Sequence, residues 1–152
     1  MGTINDPRIG IAFGSGSARG LAHVPYMEAM DELGLRPSII AGTSIGALLG
    51  SGWAAGLSGR EVRELSYDML GSFNGLFGRL LATQMRSIRH SLRTGLSVQL
   101  DPELIFDTFT PKGFPESFSG LKTPFACIAT DFRCWHQVVF HEGPLRPAVA
   151  GS

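Results

Sequence analysis

Two short apolar runs, each leading into a glycine-rich turn, constrain the fold of this chain more than any other feature. The first run, residues 9–13, precedes GSGSARG, and the second, within SIIAG, ends in GTSIG. Behind each turn, small and apolar residues continue at a helical spacing until a glycine, Gly34 or Gly56, ends the pattern. Strand, turn and helix in this repeated order, with strands too apolar to have a wet face, predict a parallel sheet covered by helices.

The rest of the sequence extends this pattern. Ser58 is predicted to cap a helix over GREVRELSYDML, and Asp101 with Pro102 to begin a helix over DPELIFDTF. TPFACIATD and HQVVFHEG are predicted strands, and LRPAVAGS has the pattern of a helix that begins near the last residue. A length of 152 residues suits one domain. We therefore expect a single three-layer α/β/α domain over residues 1–152, with a mainly parallel central sheet.

A membrane span is the competing interpretation of the second apolar run. Residues 39–57 carry no charge, and Gly42, Gly46 and Gly50 have the GxxxG spacing of packed transmembrane helices. The segment is, however, rich in Gly, Ser and Ala and follows a turn pattern, GLRPS. These features favour a strand followed by a helix.

Charge and cysteine content exclude several classes of protein. Thirteen basic and thirteen acidic residues cancel, so the net charge gives no indication of a nucleic-acid partner. Cys127 and Cys134 do not form a CxxC pair or a zinc spacing, so we expect no disulfide framework, no metal site and no cofactor. The first residues, MGTINDPR, lack the pattern of a secretory signal, and we expect a cytoplasmic protein.

The first glycine turn has the position of an anion-binding loop between a strand and a helix. The dinucleotide fingerprint GxGxxG fails because Arg19 stands at its sixth position, and a phosphate loop would need a Lys–Ser/Thr pair. A third interpretation is that the backbone N–H groups bind a developing oxyanion, with Arg19 orienting or charging the loop. A plain tight turn is the alternative.

The second turn, Gly42 to Gly46, is a GxSxG pattern with a strand before it and a helix after it. A nucleophile elbow is a sharp bend, where side chains two positions before or after the serine would collide with it. This steric requirement accounts for Gly42 and Gly46. We therefore predict that Ser44 is a nucleophile.

These two turns together resemble the patatin-like phospholipase family, in particular its compact bacterial members. ARGLAHV, IIAGTSIGAL, ACIATD and LRPAVAGS follow in the family's order along essentially the whole chain. The resemblance implies a Ser–Asp dyad that hydrolyses lipid or other esters, with Ser44 attacking the carbonyl. It implies that backbone N–H groups form an oxyanion hole supported by Arg19. The residues of that loop are Gly14, Ser15, Gly16 and Ser17.

The general base of the family is not found in this sequence. It lies in an Asp-Gly motif, whereas no aspartate here precedes a glycine. Asp131 closes a predicted strand, but in the family this position precedes the hairpin on the substrate side and is not the base. We expect a fragment or truncated product without the last strands, with weak or no hydrolysis by itself. Such a chain would expose a sheet edge that invites association.

The four histidines offer an alternative base, as in a Ser–His–Asp triad. His23 lies in the first predicted helix, His90 lies in a basic stretch, and His136 and His141 flank a predicted strand. None has a sequence setting typical of a catalytic base. We expect all four to be structural or exposed.

The segment from Met69 to Arg93 combines large apolar side chains with arginines. It could be a lid that contacts a membrane peripherally, or a core-packed helix pair with a solvated arginine face, which we favour. A further alternative concerns the whole chain, which could be a catalytically inactive regulatory domain that binds lipid or protein. A dinucleotide-binding domain is disfavoured by Arg19.

Overall fold

Four strands of the described residues form one mixed sheet. The computed structural model of the chain describes residues 8–69 and 102–152. The strands are β1 (Gly10–Phe13), β2 (Ile39–Gly42), β3 (Phe125–Asp131) and β4 (His136–Phe140), in that order across the sheet. The first three are parallel, and β4 pairs with β3 in an antiparallel hairpin. The predicted α/β class with a mainly parallel sheet is confirmed.

Helices follow the strands as the sequence predicts. They are α1 (His23–Glu32), α2 (Ile45–Ala54), α3 over residues 59–69, α4 (Pro102–Phe109) and α5 (Leu145–Ala150). The first one differs from the single predicted helix over residues 18–33, because Ser17–Ala22 is a 3-10 helix. Pro25 has no N–H to donate to Leu21, so a regular α-helix cannot extend back through this turn.

The sequence predicts where α1 ends and where α3 begins, and both positions have the expected capping contacts. Gly34 has a φ of +67°, and the N–H groups of Gly34 and Leu35 donate to Asp31 O and Met30 O, as in a Schellman motif. At the start of α3, Ser58 N donates to Glu61 Oε2 over 2.7 Å and Glu61 N donates to Ser58 Oγ over 3.2 Å. These Ser58 contacts hold the pKa of the Glu61 carboxyl below its usual value.

Helix α2 is the centre of the core. Its residues from Gly46 to Ala54 are buried without exception, and Leu49 packs with Ile40 of β2 and Phe13 of β1 in one apolar cluster. The carboxylate of Asp31 joins three helices, because it accepts from Trp53 Nε1 at 3.2 Å and from Gly59 N at 2.6 Å. Within the described ranges, no helix is long and apolar enough to cross a membrane.

The two faces of the sheet differ among the described residues. Phe13, Gly42 and Cys127 share one register row, and all three are buried beneath helices. On the other face Ala12 is exposed and Ile39 is 51% exposed. The helices of residues 8–69 and 102–152 thus cover one face of the sheet. A helical layer on the other face stays a prediction.

Candidate active site

Ser44 lies at the sharp bend between β2 and α2. Its backbone angles, φ 55° and ψ −127°, place it in a region that residues with a Cβ rarely adopt. Its carbonyl oxygen accepts from Ala47 N at 2.8 Å and Leu48 N at 3.0 Å, so the first turn of α2 begins at this residue. The side chain is therefore presented at the N-terminus of a ten-residue helix, on an exposed residue. Within the described part of the chain, the Ser44 hydroxyl makes no hydrogen bond.

Gly42 and Gly46 are required by the packing of this bend. A Cβ at Gly42 would lie 2.5 Å from Gly46 O and 2.6 Å from Ala47 Cα, and a Cβ at Gly46 would lie 2.3 Å from Phe13 O. The physical reason differs from the expected one. The nearest atoms are backbone of α2 and β1 rather than the side chain of Ser44, so the two glycines let the helix lie close against the strands.

Ser152 is a contact of the bend that the sequence analysis did not identify. Its hydroxyl accepts from Ser44 N at 2.9 Å and donates to Ile128 O of β3. Thr43 Oγ1 donates to the same carbonyl oxygen at 3.1 Å. The backbone N–H of Ser44 is therefore already bonded, and the bend is fixed to β3 from both sides.

The first glycine turn lies directly against the second. Thr43 N donates to Phe13 O at 3.1 Å, and a Cβ at Gly46 would come within 2.6 Å of Gly14 O. A Cβ at Gly20 would lie 2.2 Å from Ile45 Cγ2, so this glycine lets the 3-10 helix approach α2. The predicted loop and the predicted nucleophile are thus neighbours.

Several N–H groups of the first turn are available to a ligand. In residues 8–69 and 102–152, the N–H groups of Ser15, Gly16 and Ser17 donate no hydrogen bond, and Ser15 and Ser17 are exposed. Ser17 has a φ of 49°. A Cβ at Gly14 would meet no atom of the described residues within 4 Å, so their packing does not require glycine there. The open space leaves room for another molecule.

His23 contacts the first turn through its side chain, and Arg19 contacts it through its backbone N–H, which donates to Gly16 O at 3.0 Å. His23 Nε2 lies 2.9 Å from Gly14 O, and because a carbonyl oxygen only accepts, this ring nitrogen carries the proton. The imidazole also packs on the Phe13 ring with a centroid distance of 5.0 Å. Arg19 is exposed, and its guanidinium makes no hydrogen bond to the described residues. The support of the loop that the resemblance assigns to Arg19 stays a prediction, and His23 is a second contact that the sequence analysis did not identify.

The described carboxylates that have partners are engaged away from Ser44. Asp31 pairs with Arg36, and Asp107 pairs with Arg146, which holds the pKa of the Asp107 carboxyl below its usual value. Asp131 Oδ1 accepts from Arg133 N at 2.7 Å in the β3–β4 turn. The expectation that Asp131 is structural agrees with this contact. Within 8–69 and 102–152, no carboxylate is hydrogen-bonded to Ser44.

The other predicted groups are placed apart from the bend or lie outside the description. His136 and His141 are exposed residues at the two ends of β4. Cys127 is buried, its Sγ lies 3.2 Å from Ala148 O, and burial raises the pKa of its thiol. Asp101, His90 and nearly all of the segment from Met69 to Arg93 lie outside the described residues.

A cavity of about 190 Å³ opens beside Ser44. Apart from Ser44 and Ser152, the side chains around it are apolar and come from α2, α4 and α5. These residues are Ile45, Leu48, Pro102, Ile105, Phe106, Val149 and Ala150. The arrangement places a hydroxyl in the lining of an apolar cavity, next to a loop whose N–H groups at Ser15, Gly16 and Ser17 donate to no described residue.

Comparison with known proteins identifies the family. The family model described as patatin-like phospholipase matches residues 11–142. The chain belongs to this family. The match includes both glycine turns, the bend at Ser44 and the whole described sheet except Gly10, so the patatin-like resemblance of the sequence is confirmed.

Relatives of this patatin-like chain are larger proteins. An uncharacterized NTE family protein of Mycobacterium tuberculosis is 31% identical over 150 residues, covering 97% of this chain and 38% of that protein. The neuropathy target esterase sws of Drosophila melanogaster is 43% identical over 123 residues, or 81% of this chain and 8% of that protein. Lysophospholipase nte1 of Emericella nidulans is 46% identical over 46 residues, 30% of this chain and 3% of that protein. The chain therefore spans well under half of these relatives.

Proposed function

We propose that this chain contributes the nucleophile and oxyanion loop of a lipid acyl hydrolase. Ser44 is the nucleophile, and the N–H groups of the loop from Gly14 to Ser17 stabilise the oxyanion. The observation that carries this proposal is the strained backbone of Ser44, held at the start of α2 against a loop whose N–H groups at Ser15, Gly16 and Ser17 donate to no described residue. Relatives named as an esterase and a lysophospholipase support the same chemistry.

The reaction proposed is acyl transfer from an ester to Ser44. The Ser44 oxygen attacks the ester carbonyl as its proton passes to a base, and the carbonyl oxygen becomes negatively charged. Hydrogen bonds from the first turn stabilise that charge, the alcohol leaves with a proton, and water then releases the acid. The resemblance assigns the base to an aspartate in an Asp-Gly motif, which this sequence lacks.

The apolar cavity supports an acyl group as the part of the substrate that binds next to Ser44. Its volume of about 190 Å³ exceeds the roughly 150 Å³ of an apolar cavity that binds benzene. Burial of hydrocarbon here would remove apolar surface from water, and a charged group would lose its hydration in the same place. We therefore propose a lipid or other ester substrate with its acyl end in this cavity.

The test is the reaction of Ser44 with a fluorophosphonate probe, together with turnover of p-nitrophenyl esters. We expect weak or no turnover by residues 1–152, because loss of one member of a catalytic unit typically removes several orders of magnitude in rate. Slow labelling that disappears in Ser44→Ala would support the nucleophile. A rapid turnover dependent on Ser44 would show that the base is present after all, and labelling unaffected by Ser44→Ala would refute the site.

A lipid- or protein-binding domain without turnover is the second candidate. It is favoured by one observation, that no carboxylate or imidazole in the described residues is hydrogen-bonded to the Ser44 hydroxyl. A chain of this kind would bind lipid but leave the fluorophosphonate probe unreacted. Labelling that is present in the unmodified chain and absent in Ser44→Ala would exclude it.

Three further expectations remain proposals. Peripheral membrane contact through Met69 to Arg93 concerns residues that, apart from Met69, lie outside the described part. Association through a sheet edge would involve β1 or β4, the outer strands of the described sheet. A cytoplasmic location and the lack of a nucleic-acid partner are proposed from the sequence alone.

A further inference from the structure

The turn between β3 and β4 carries the two most exposed large apolar side chains of the described residues. Phe132 is 80% exposed and Trp135 is 77% exposed. Their rings contact each other edge to face, with a centroid distance of 6.3 Å. Phe and Trp each offer roughly 150–250 Å² of surface. Leaving both in water is costly, so the pair indicates a binding partner.

This turn is held by hydrogen bonds of its backbone rather than by burial of the two rings. Trp135 N donates to Asp131 O at 2.8 Å, and Arg133 N donates to Asp131 Oδ1 at 2.7 Å. The latter contact keeps the pKa of the Asp131 carboxyl below its usual value, so the carboxylate stays charged at neutral pH. The two rings are therefore presented outward by a turn that is already formed.

The turn projects beyond the edge of the sheet where Ser44 lies. Ile128 of β3 is at the level of the nucleophile, because its carbonyl oxygen accepts from Thr43 Oγ1 and from Ser152 Oγ, which in turn bonds Ser44 N. Asp131 lies three residues further along the strand, which corresponds to about 10 Å at the usual rise of a strand. Phe132 and Trp135 therefore stand above the same edge as Ser44.

We propose that Phe132 and Trp135 insert into the interface of a lipid bilayer and bring the Ser44 edge of the sheet to the membrane. The lipid ester that is the proposed substrate would then be delivered to this edge, so the inference rests on the proposed function.

The chemistry of the turn fits a bilayer better than a protein partner. A Trp has an apolar body and a polar N–H, a combination enriched at membrane interfaces. Arg133, between the two aromatics in sequence, can meet a phosphate headgroup. A protein partner would need about 800 Å² from this chain, which is more than two side chains on a projecting turn can supply.

Tryptophan fluorescence tests the insertion in the unmodified chain. The two tryptophans are Trp53, which is 3% exposed and donates to Asp31, and Trp135. Because Trp53 is already buried, a spectral change on adding phosphatidylcholine vesicles reports Trp135. We expect a blue shift, and quenching by lipids brominated near the headgroup. Absence of both would overturn the proposal.

Co-sedimentation with the same vesicles tests the residues. Phe132→Ser/Trp135→Ser should bind about tenfold more weakly or worse, given the apolar surface removed. Leu33→Ser is the matched control, because Leu33 is 72% exposed at the end of α1 that leads back to the start of β2. It should bind like the unmodified chain. Adding anionic phosphatidylglycerol should strengthen binding by at most about fivefold, as expected for one arginine.

Labelling without lipid separates this inference from the proposed function. Ser44→Ala should bind vesicles normally, and the double variant should react with a fluorophosphonate as the unmodified chain does. Vesicle binding without labelling of Ser44 would contradict the proposed hydrolase function and support the proposed membrane-binding surface. If Ser44 is labelled and the double variant binds vesicles as well as the unmodified chain does, only the proposal of a membrane-binding surface would be overturned.

Discussion

The two strand-to-helix turns of this chain look alike in sequence and differ in what their glycines do. In the second turn, a Cβ at Gly42 or Gly46 would collide with backbone at 2.5 Å or less. In the first, a Cβ at Gly14 would meet nothing within 4 Å. One pair of glycines lets α2 pack against the sheet, and the other glycine leaves open space beside it. Gly20, at the far end of the first turn, also serves packing, so the difference between the turns lies at Gly14.

The two turns also differ in the hydrogen bonds of their backbone N–H groups. The N–H of Ser44 is bonded by Ser152, whereas those of Ser15, Gly16 and Ser17 donate to no described residue. The second turn therefore presents a hydroxyl from a fixed backbone. The first turn presents donors, and one side chain, His23, holds its carbonyl side.

The largest effect that distinguishes the turns is expected for Gly46→Ala. Since the new methyl carbon would lie 2.3 Å from Phe13 O, the free energy of unfolding should fall by about 3 kcal/mol or more. Gly14→Ala, with open space around it, should change that free energy by about 0.5 kcal/mol or less. Urea denaturation followed by circular dichroism measures both. Similar losses in the two variants would show that the turns are packed alike.

Ser152→Ala should have the next largest effect. It leaves Ser44 N without its partner, while Thr43 still donates to Ile128 O. A lost hydrogen bond of this kind costs about 1–2 kcal/mol in the free energy of unfolding. Ser119→Ala, which changes an exposed serine near the start of β3, is the control and should cost less. A loss no greater than that of the control would mean that the bend keeps its geometry without this hydroxyl.

Ser44→Gly should raise the free energy of unfolding relative to Ser44→Ala by about 1 kcal/mol. Alanine retains the Cβ at a φ of 55°, whereas glycine adopts this conformation readily, and its greater freedom in the unfolded chain offsets part of the gain. Both variants should lose fluorophosphonate labelling. The difference between their midpoints in urea measures the strain at this bend, and an equal stability would place the strain elsewhere.

A smaller loss of stability than that of Ser152→Ala is expected for His23→Ala. Its hydrogen bond to Gly14 O is exposed, so its removal should cost about 0.5–1 kcal/mol. The rate of Ser44 labelling should nevertheless fall, because the first turn loses the contact that orients it. His141→Ala, an exposed residue beyond β4, is the control for both measurements. An unchanged labelling rate would mean that other contacts position the loop.

Local features of the sequence predicted most of this fold. The stop at Gly34, the cap at Ser58 and the bend at Ser44 follow from residue types at short spacing, and all three are found. Pro25 also carried a local signal, the missing N–H that separates the 3-10 helix from α1, but the apolar periodicity obscured it.

Contacts over long sequence distances could not be predicted in this way. Ser152 and Ser44 are 108 positions apart, and nothing near either residue indicates that they meet. The role of His23 depends on the direction of the Gly14 carbonyl, which no residue pattern specifies. The exposure of Phe132 and Trp135 likewise depends on how far β3 extends past β2.

The burial of α2 from Gly46 to Ala54 has a consequence for the exchange of backbone amide protons with solvent. Amide protons in its buried turns, such as those of Gly50 and Ala54, should exchange with solvent only when the whole domain unfolds. The N–H groups of Ser15 and Gly16 donate to no described residue, so they need no opening among these residues and should exchange from the native state. A deuterium-exchange map would therefore show the slowest and the fastest amides of the described chain on neighbouring turns, with Ser44 at the boundary between them.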